Sequence, residues 1–162
     1  MDEQSRPSWQ KLAADIEHVV DDAARQFTGL PDAVITARPT PGAWSIKETV
    51  GHLVDSAANN HQRFVRLQIA DDLVFPDYSQ DNDAWVAIQH YQDAPWTDLL
   101  ALWRYYNRHL ARVVRTVDPT RLDHRWALTE TRSMTLGDLM VDYLRHLKDH
   151  LRQVHERLEA MR

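Results

Sequence analysis

The chain reads as an all-α protein, a four-helix bundle with a long crossover between its second and third helices. Three observations predict this. Four stretches carry apolar residues at three- and four-residue steps, the period of a helix with one buried face. Only 4 of the 162 residues are Gly, and runs of β-branched residues are scarce, which argues against an all-β fold. The connection between the second and third stretches is far longer than adjacent antiparallel helices need.

The first helix is predicted over Ser8–Phe27, with Ser8 as cap and Trp9, Leu12, Ile16, Val19, Val20, Ala23 and Phe27 as its apolar stripe. Gly29 and Pro31 end it. Residues 30–42 hold three Pro and one Gly and read as a loop.

The second helix starts at a capping box, Ser45-Ile46-Lys47-Glu48. There a Ser hydroxyl takes the Glu amide and the Glu carboxylate reaches back to the Ser amide. Ile46, Val50, Leu53, Ala57, Phe64 and Leu67 form its stripe. Beside them runs a polar line of Glu48, His52, Asp55 or Ser56, Asn59 and Arg63. A helix lining a wet internal site shows such a line.

Residues Asp71–Asp93 form the crossover, with a short helix expected at Asp83–His90. A link of this length lets the third helix run parallel to the second. That helix is predicted over Pro95–Thr116, with Asp93 as cap. Trp96, Leu99, Leu100, Trp103, Tyr106, Leu110, Val113 and Val117 face inward, and Pro119 stops it. Residues 118–134 read as irregular, with one turn at Thr120–Asp123. Thr135 then caps the fourth helix, Asp138 suits its positive start, and the helix runs to Met161. No repeat or linker divides the chain, so residues 1–162 are read as a single domain.

Composition excludes some functions. The chain has no Cys, so it has no disulfide, thiolate ligand or catalytic protein thiol. A net charge of −5 gives no electrostatic reason to expect nucleic acid as a partner. The opening residues carry no basic and then apolar stretch, and no apolar run reaches the ~18 residues of a membrane span. A cytoplasmic location is the expectation. Nine His are the one compositional hint of metal.

Leu139, Met140, Tyr143, Leu144, Leu147, Leu151, Val154 and Leu158 form the seam of the fourth helix, and His146 and His150 lie beside it. Four residues of separation place two imidazoles about 40° apart around the axis and about 6 Å apart along it. They can therefore close on one ion at roughly 2.0–2.1 Å per nitrogen. The spacing alone does not separate a ligand pair from two helical histidines. On the second helix, periodicity favours His61 over His52 as the inward residue.

The segment Trp44-Ser45-Ile46-Lys47-Glu48-Thr49-Val50-Gly51-His52-Leu53-Val54-Asp55-Ser56 is followed by Asn59 or Asn60, by Arg63-Phe64, and far downstream by His146 and His150. It resembles the DinB/YfiT-like superfamily, especially its YfiT-like branch. Asp77-Tyr78 and Asp83-Ala84-Trp85 also look like that family. The resemblance covers about Trp9 to Leu158. It implies a four-helix bundle, often a homodimer, that holds one divalent metal, zinc or nickel, through His52, His146 and His150. His52 is chosen on this resemblance rather than on its period. Relatives include bacillithiol- and mycothiol-dependent transferases, a mycothiol-dependent maleylpyruvate isomerase and proteins called metal-dependent hydrolases.

Three neutral imidazoles leave a divalent ion an open position, as in a catalytic site. That position can lower the pKa of a water towards ~7, or stabilise the thiolate of a visiting thiol. The leading expectation is transfer of a low-molecular-weight thiol, as co-substrate, to an electrophilic small molecule. A metal-dependent hydrolase and a non-catalytic metal-binding bundle are the alternatives. Arg63 and Asn59 are the candidate substrate-binding groups. Asp142, four residues before His146, and Asp55, three after His52, are placed to accept a ring N–H of a ligand. His109 and His155 read as surface or helix-end residues, and exposed Trp on the third helix would suit a dimer.

Overall fold

The computed structural model describes residues 8–74, 80–129 and 132–161, apart from the side chains of residues 128 and 129. Asp77 and Tyr78 lie outside the described residues. Helix α1 spans Trp9–Phe27, α2 Asp32–Thr36, α3 Ile46–Ile69, α4 Asn82–Ile88, α5 Trp96–Arg115 and α6 Leu136–Ala160. Three short strands, β1 (Leu73–Val74), β2 (Arg125–Thr129) and β3 (Arg132–Thr135), complete it. Among the described residues no helix is long and apolar enough to cross a membrane.

The four long helices form the bundle, and side-chain contacts give their directions. Asp21 meets Arg104, Glu17 meets Arg115, and Trp96 donates to the Phe27 carbonyl, so α1 and α5 are antiparallel. Tyr91 lies on Gly51, His61 meets Tyr106 and His109, and the Asp118 N–H donates to Gln68. Helices α3 and α5 are therefore parallel, as the long crossover allows. Arg157 donates to the Trp44 carbonyl, His52 meets His150, and Phe64 meets Tyr143, so α6 is antiparallel to α3. Trp103, Phe27, Phe64, Ile16, Leu110, Met140 and Leu147 fill the core between them.

The capping box forms as the sequence predicts. Ser45 Oγ accepts the Glu48 N–H at 3.1 Å, and Glu48 accepts the Ser45 N–H at 2.8 Å. Ser45 Oγ also donates to Gln92, whose amide reaches the Thr36 carbonyl, tying the crossover to the start of α3. Thr135 caps α6 by accepting the Asp138 N–H.

Several local expectations are corrected. The 30–42 loop contains α2, with Pro31 in extended backbone at its cap position and with Ile35 buried. The expected Asp83–His90 helix runs Asn82–Ile88, with Asp81 as its cap. Asp93 does not cap α5. It ends a 3-10 turn, Tyr91–Asp93, and Pro95 occupies the cap position without a side-chain bond. Of the tryptophans on α5, Trp103 is fully buried and Trp96 half-buried. The exposed apolar side chains of that helix are Leu102 and Tyr105.

The largest correction is a small sheet. Residues 118–134 are not merely irregular: a 3-10 turn at Pro119–Arg121 leads into β2, which pairs antiparallel with β3 and parallel with β1. Neighbouring groups hold the sheet in place. His124 Nδ1 meets the Leu67 carbonyl at 2.6 Å, and the Arg125 N–H donates to Asp71. The Leu136 and Gly137 amides reach back to the His124 and Leu122 carbonyls. The hairpin thus docks on the end of α3 and the start of α6, and it turns Trp126 and Met134 toward the space between those helices.

Candidate metal centre

Helix α6 carries His146 and His150 beside buried Leu147 and Leu151, so packing of the seam turns both rings toward α3. Helix α3 supplies His52, which is 5% exposed. The ring centroids lie 4.6 Å apart for His146 and His150, 4.9 Å for His52 and His150, and 5.6 Å for His52 and His146. One nitrogen from each ring lies within 4.8 Å of the other two. The Nε2 atoms of His146 and His150 are 3.2 Å apart. Two ligands at about 2.1 Å from a common ion take that spacing at an angle of about 100°.

The electrostatics suit a cation. Burial, then the neighbouring His150 and His146, hold His52 at about 4. Burial and then His146 hold His150 at about 4, and burial lowers His146 as well. All three rings are therefore neutral near pH 7, with lone pairs available rather than protons to displace. The donor set is wholly imidazole, which fits zinc or nickel. His52 Nδ1 is buried with no hydrogen-bond partner, a state that favours an arrangement in which that atom is put to use.

A cavity of about 300 Å³ opens beside the cluster. His52, His146, Ser56, Asn59, Arg63 and Trp126 are among its lining residues. Ser56 Oγ lies 3.4 Å from His146 Nδ1. The Asn59 amide donates to Gln80 of the crossover, and the Arg63 guanidinium lies over the Trp126 ring, 4.1 Å from its centroid. On the other side Trp44 packs on His52 with centroids 4.9 Å apart.

The structure brings His52, His146, His150, Asn59 and Arg63 to one place. Neither of the two carboxylates hydrogen-bonds a ring of the cluster in this structure. Asp142 accepts from Arg145, not from His146, because Arg145 lies within reach on the exposed side of the same turn. Asp55 accepts from Tyr91 and Gln89, not from His52. His61, favoured by period, points to the α5 side. There its Nδ1 lies 3.1 Å from Tyr106 OH and its ring meets His109. His155, near the end of α6, is half-buried against Phe27.

Trp126, Tyr91, Gln89 and Gln80 escaped the sequence reading, since each reaches α3 through tertiary contacts. Gly51 did leave a signal: a glycine inside a strong helical pattern marks a close approach.

The family model of the DinB superfamily matches residues 6–154. Among solved structures, YfiT from Bacillus subtilis, described as a probable metal-dependent hydrolase with an unusual four-helix bundle topology, superposes with a TM-score of 0.79 at 20% identity. That match covers 99% of this chain and 90% of YfiT, and at such identity it speaks to the fold. A curated relative from Oceanobacillus iheyensis, named as an inferred metal-dependent hydrolase, is 25% identical over 116 residues. The match takes in 70% of this chain and 64% of that relative, so the chain spans under two thirds of the relative's length.

Proposed function

The chain belongs to the DinB superfamily, and on that footing we propose that it is a metal-dependent enzyme acting on a polar small molecule. His52, His146 and His150 are the protein ligands of one divalent ion, zinc or nickel. The observation that carries this reading is the cluster itself: three neutral imidazoles, drawn from two helices, at the wall of a cavity. Held by neutral donors, such an ion keeps its full charge and an open position, and it supplies Lewis-acid activation of a nucleophile.

The chain's own groups bind and orient the substrate. Arg63 anchors a carboxylate, and its stacking on Trp126 fixes the plane of the guanidinium fork. Asn59 hydrogen-bonds a neighbouring polar group. Trp44, which is not among the cavity's lining residues, packs its ring against His52.

Hydrolysis, with water as the nucleophile, is the first reading, supported by the descriptions of both relatives. Transfer of a low-molecular-weight thiol of the bacillithiol or mycothiol type is the second. Favouring it is a wall of amides and a guanidinium, groups suited to a peptide-like co-substrate, beside a site in a chain that has no Cys.

Elemental analysis of the purified protein tests the reading. About one divalent ion per chain is expected. His146→Ala or His150→Ala should strip it while the far-UV helical signal is retained. Stoichiometric metal in both variants, or none in the parent, refutes it. Turnover of ester and amide substrates with and without added thiol then separates the two chemistries.

A further inference from the structure

Of the buried side-chain atoms on α3 that lack a hydrogen-bond partner, two lie one turn apart. They are His52 Nδ1 and Asp55 Oδ2. Side chains three residues apart on a helix are neighbours. The tilt of Cα–Cβ bonds toward the helix start aims Asp55 back at the turn that carries His52. One atom can carry a proton and the other can only accept one. Leaving a buried polar group unpaired is costly, so two orphans of complementary character one turn apart call for a reason.

The rest of Asp55 is firmly held. Its Oδ1 accepts from Tyr91 OH at 2.6 Å and from Gln89 Nε2 at 2.8 Å. The carboxylate is thus gripped on one oxygen and bare on the other. Tyr91 is fixed in turn by its seat on Gly51, where an added Cβ would fall 2.2 Å from the ring. A mid-helix glycine gives up helix propensity relative to Ala. Here it admits the ring that grips Asp55.

We propose that Asp55 is a positioning residue for the metal ligand His52, accepting the Nδ1–H of that imidazole through Oδ2 when an ion occupies the cluster. An imidazole that gives one nitrogen to a metal must carry its proton on the other, and in a buried site that N–H needs an acceptor. Without the ion, the ring is under no such demand. The facing Nε2 atoms of His146 and His150 mark the nitrogen that those two rings turn to the metal, and His52 is assigned the same one. His146 already has Ser56 Oγ near its Nδ1. His52 is the buried member of the three, and no water reaches its Nδ1. The crossover, through Tyr91 and Gln89, therefore sets the orientation of a ligand on a different helix.

The inference rests on the metal reading above, and the test keeps the two apart. Zinc affinity is measured by chelator competition for the wild type, Asp55→Asn and Tyr91→Phe. Histidine side-chain 1H–15N spectra are recorded on the zinc-loaded proteins. Asp55→Asn should weaken zinc by about 10–100-fold, and Tyr91→Phe by a smaller factor. The His52 Nδ1–H resonance should exchange slowly in the wild type and rapidly in Asp55→Asn, a change that a purely structural role would not produce. If the wild type binds zinc and Asp55→Asn matches it within about twofold, or if the spectrum puts the His52 proton on Nε2, the assignment of Asp55 falls while the metal site stands. A wild type that binds no zinc overturns both. If Asp55→Asn does not fold, Tyr91→Phe decides: unchanged affinity and unchanged exchange overturn the proposal.

Discussion

Gly51→Ala should destabilise the protein, although the same change in an exposed helix interior stabilises it. The added Cβ would lie 2.2 Å from two atoms of the Tyr91 ring and 2.7 Å from a third. Ordinary contact begins near 3.4 Å, so the ring must retreat by about 1.2 Å. Tyr91 is 7% exposed, and its hydroxyl is bonded to Asp55, so it has little room to do so. Overpacking of this kind costs about 1–3 kcal/mol. Losing a hydrogen bond to a charged acceptor costs about 1.5–3 kcal/mol. Improved helix propensity returns about 1 kcal/mol. The net expectation is a loss of about 3 kcal/mol, bounded roughly by 1.5 and 5. Urea unfolding of the metal-free protein measures it. In a Tyr91→Ala background the clash is gone, and the same substitution should stabilise by about 1 kcal/mol. Equal or greater stability of Gly51→Ala alone, or the same loss in both backgrounds, refutes the reasoning.

Other expectations concern the cap and the cluster. Ser45→Ala removes the acceptor of the Glu48 N–H and the tie to Gln92, and should cost about 1–2 kcal/mol by urea unfolding. Metal-free protein should gain stability as pH rises from about 4 to 6.5. In that window the unfolded chain binds protons at His52 and His150 that the folded chain, holding both at about 4, refuses. The raised carboxyl of Asp55 works with opposite sign just above 3.8, because there the folded chain holds the extra proton. Stability that is flat between pH 4.5 and 6.5 would show that the rings are not buried as described. On binding zinc at pH 7.5 the three rings, already neutral, should release almost no protons, so calorimetry in buffers of different ionisation enthalpy should read at most the single proton lost by a metal-bound water.

Much of the molecule is written in local pattern. The long helices follow from 3.6-residue periodicity, and the Ser45–Glu48 box and the Thr135 cap from residues within one turn of each other. The His146 and His150 pair needs only the helical repeat. The length of the crossover allowed the parallel course of α3 and α5. Those features were legible because each depends on residues close in sequence.

The third imidazole was not, and the reason is geometric. His52 and His61 differ by nine residues, two and a half turns, so they face opposite sides of α3. One side meets α6 and the other meets α5. The first turns of α3 are buried all round because α4 and the Tyr91 turn cover their outer face. An apolar stripe cannot say which of two insides holds the site, and only the resemblance pointed to His52. The hairpin and Trp126 were hidden for a related reason: β1 has two residues and is a strand only through its pairing with β2. The partners of Asp55 and Asp142 likewise came from tertiary neighbours and from an exposed arginine, not from spacing. Local periodicity thus determined the helices and one pair of candidate ligands. Which faces meet, which carboxylate lies near which ring, and what walls the cavity were decided by contacts between residues far apart in the chain, whose energies leave no periodic trace in it.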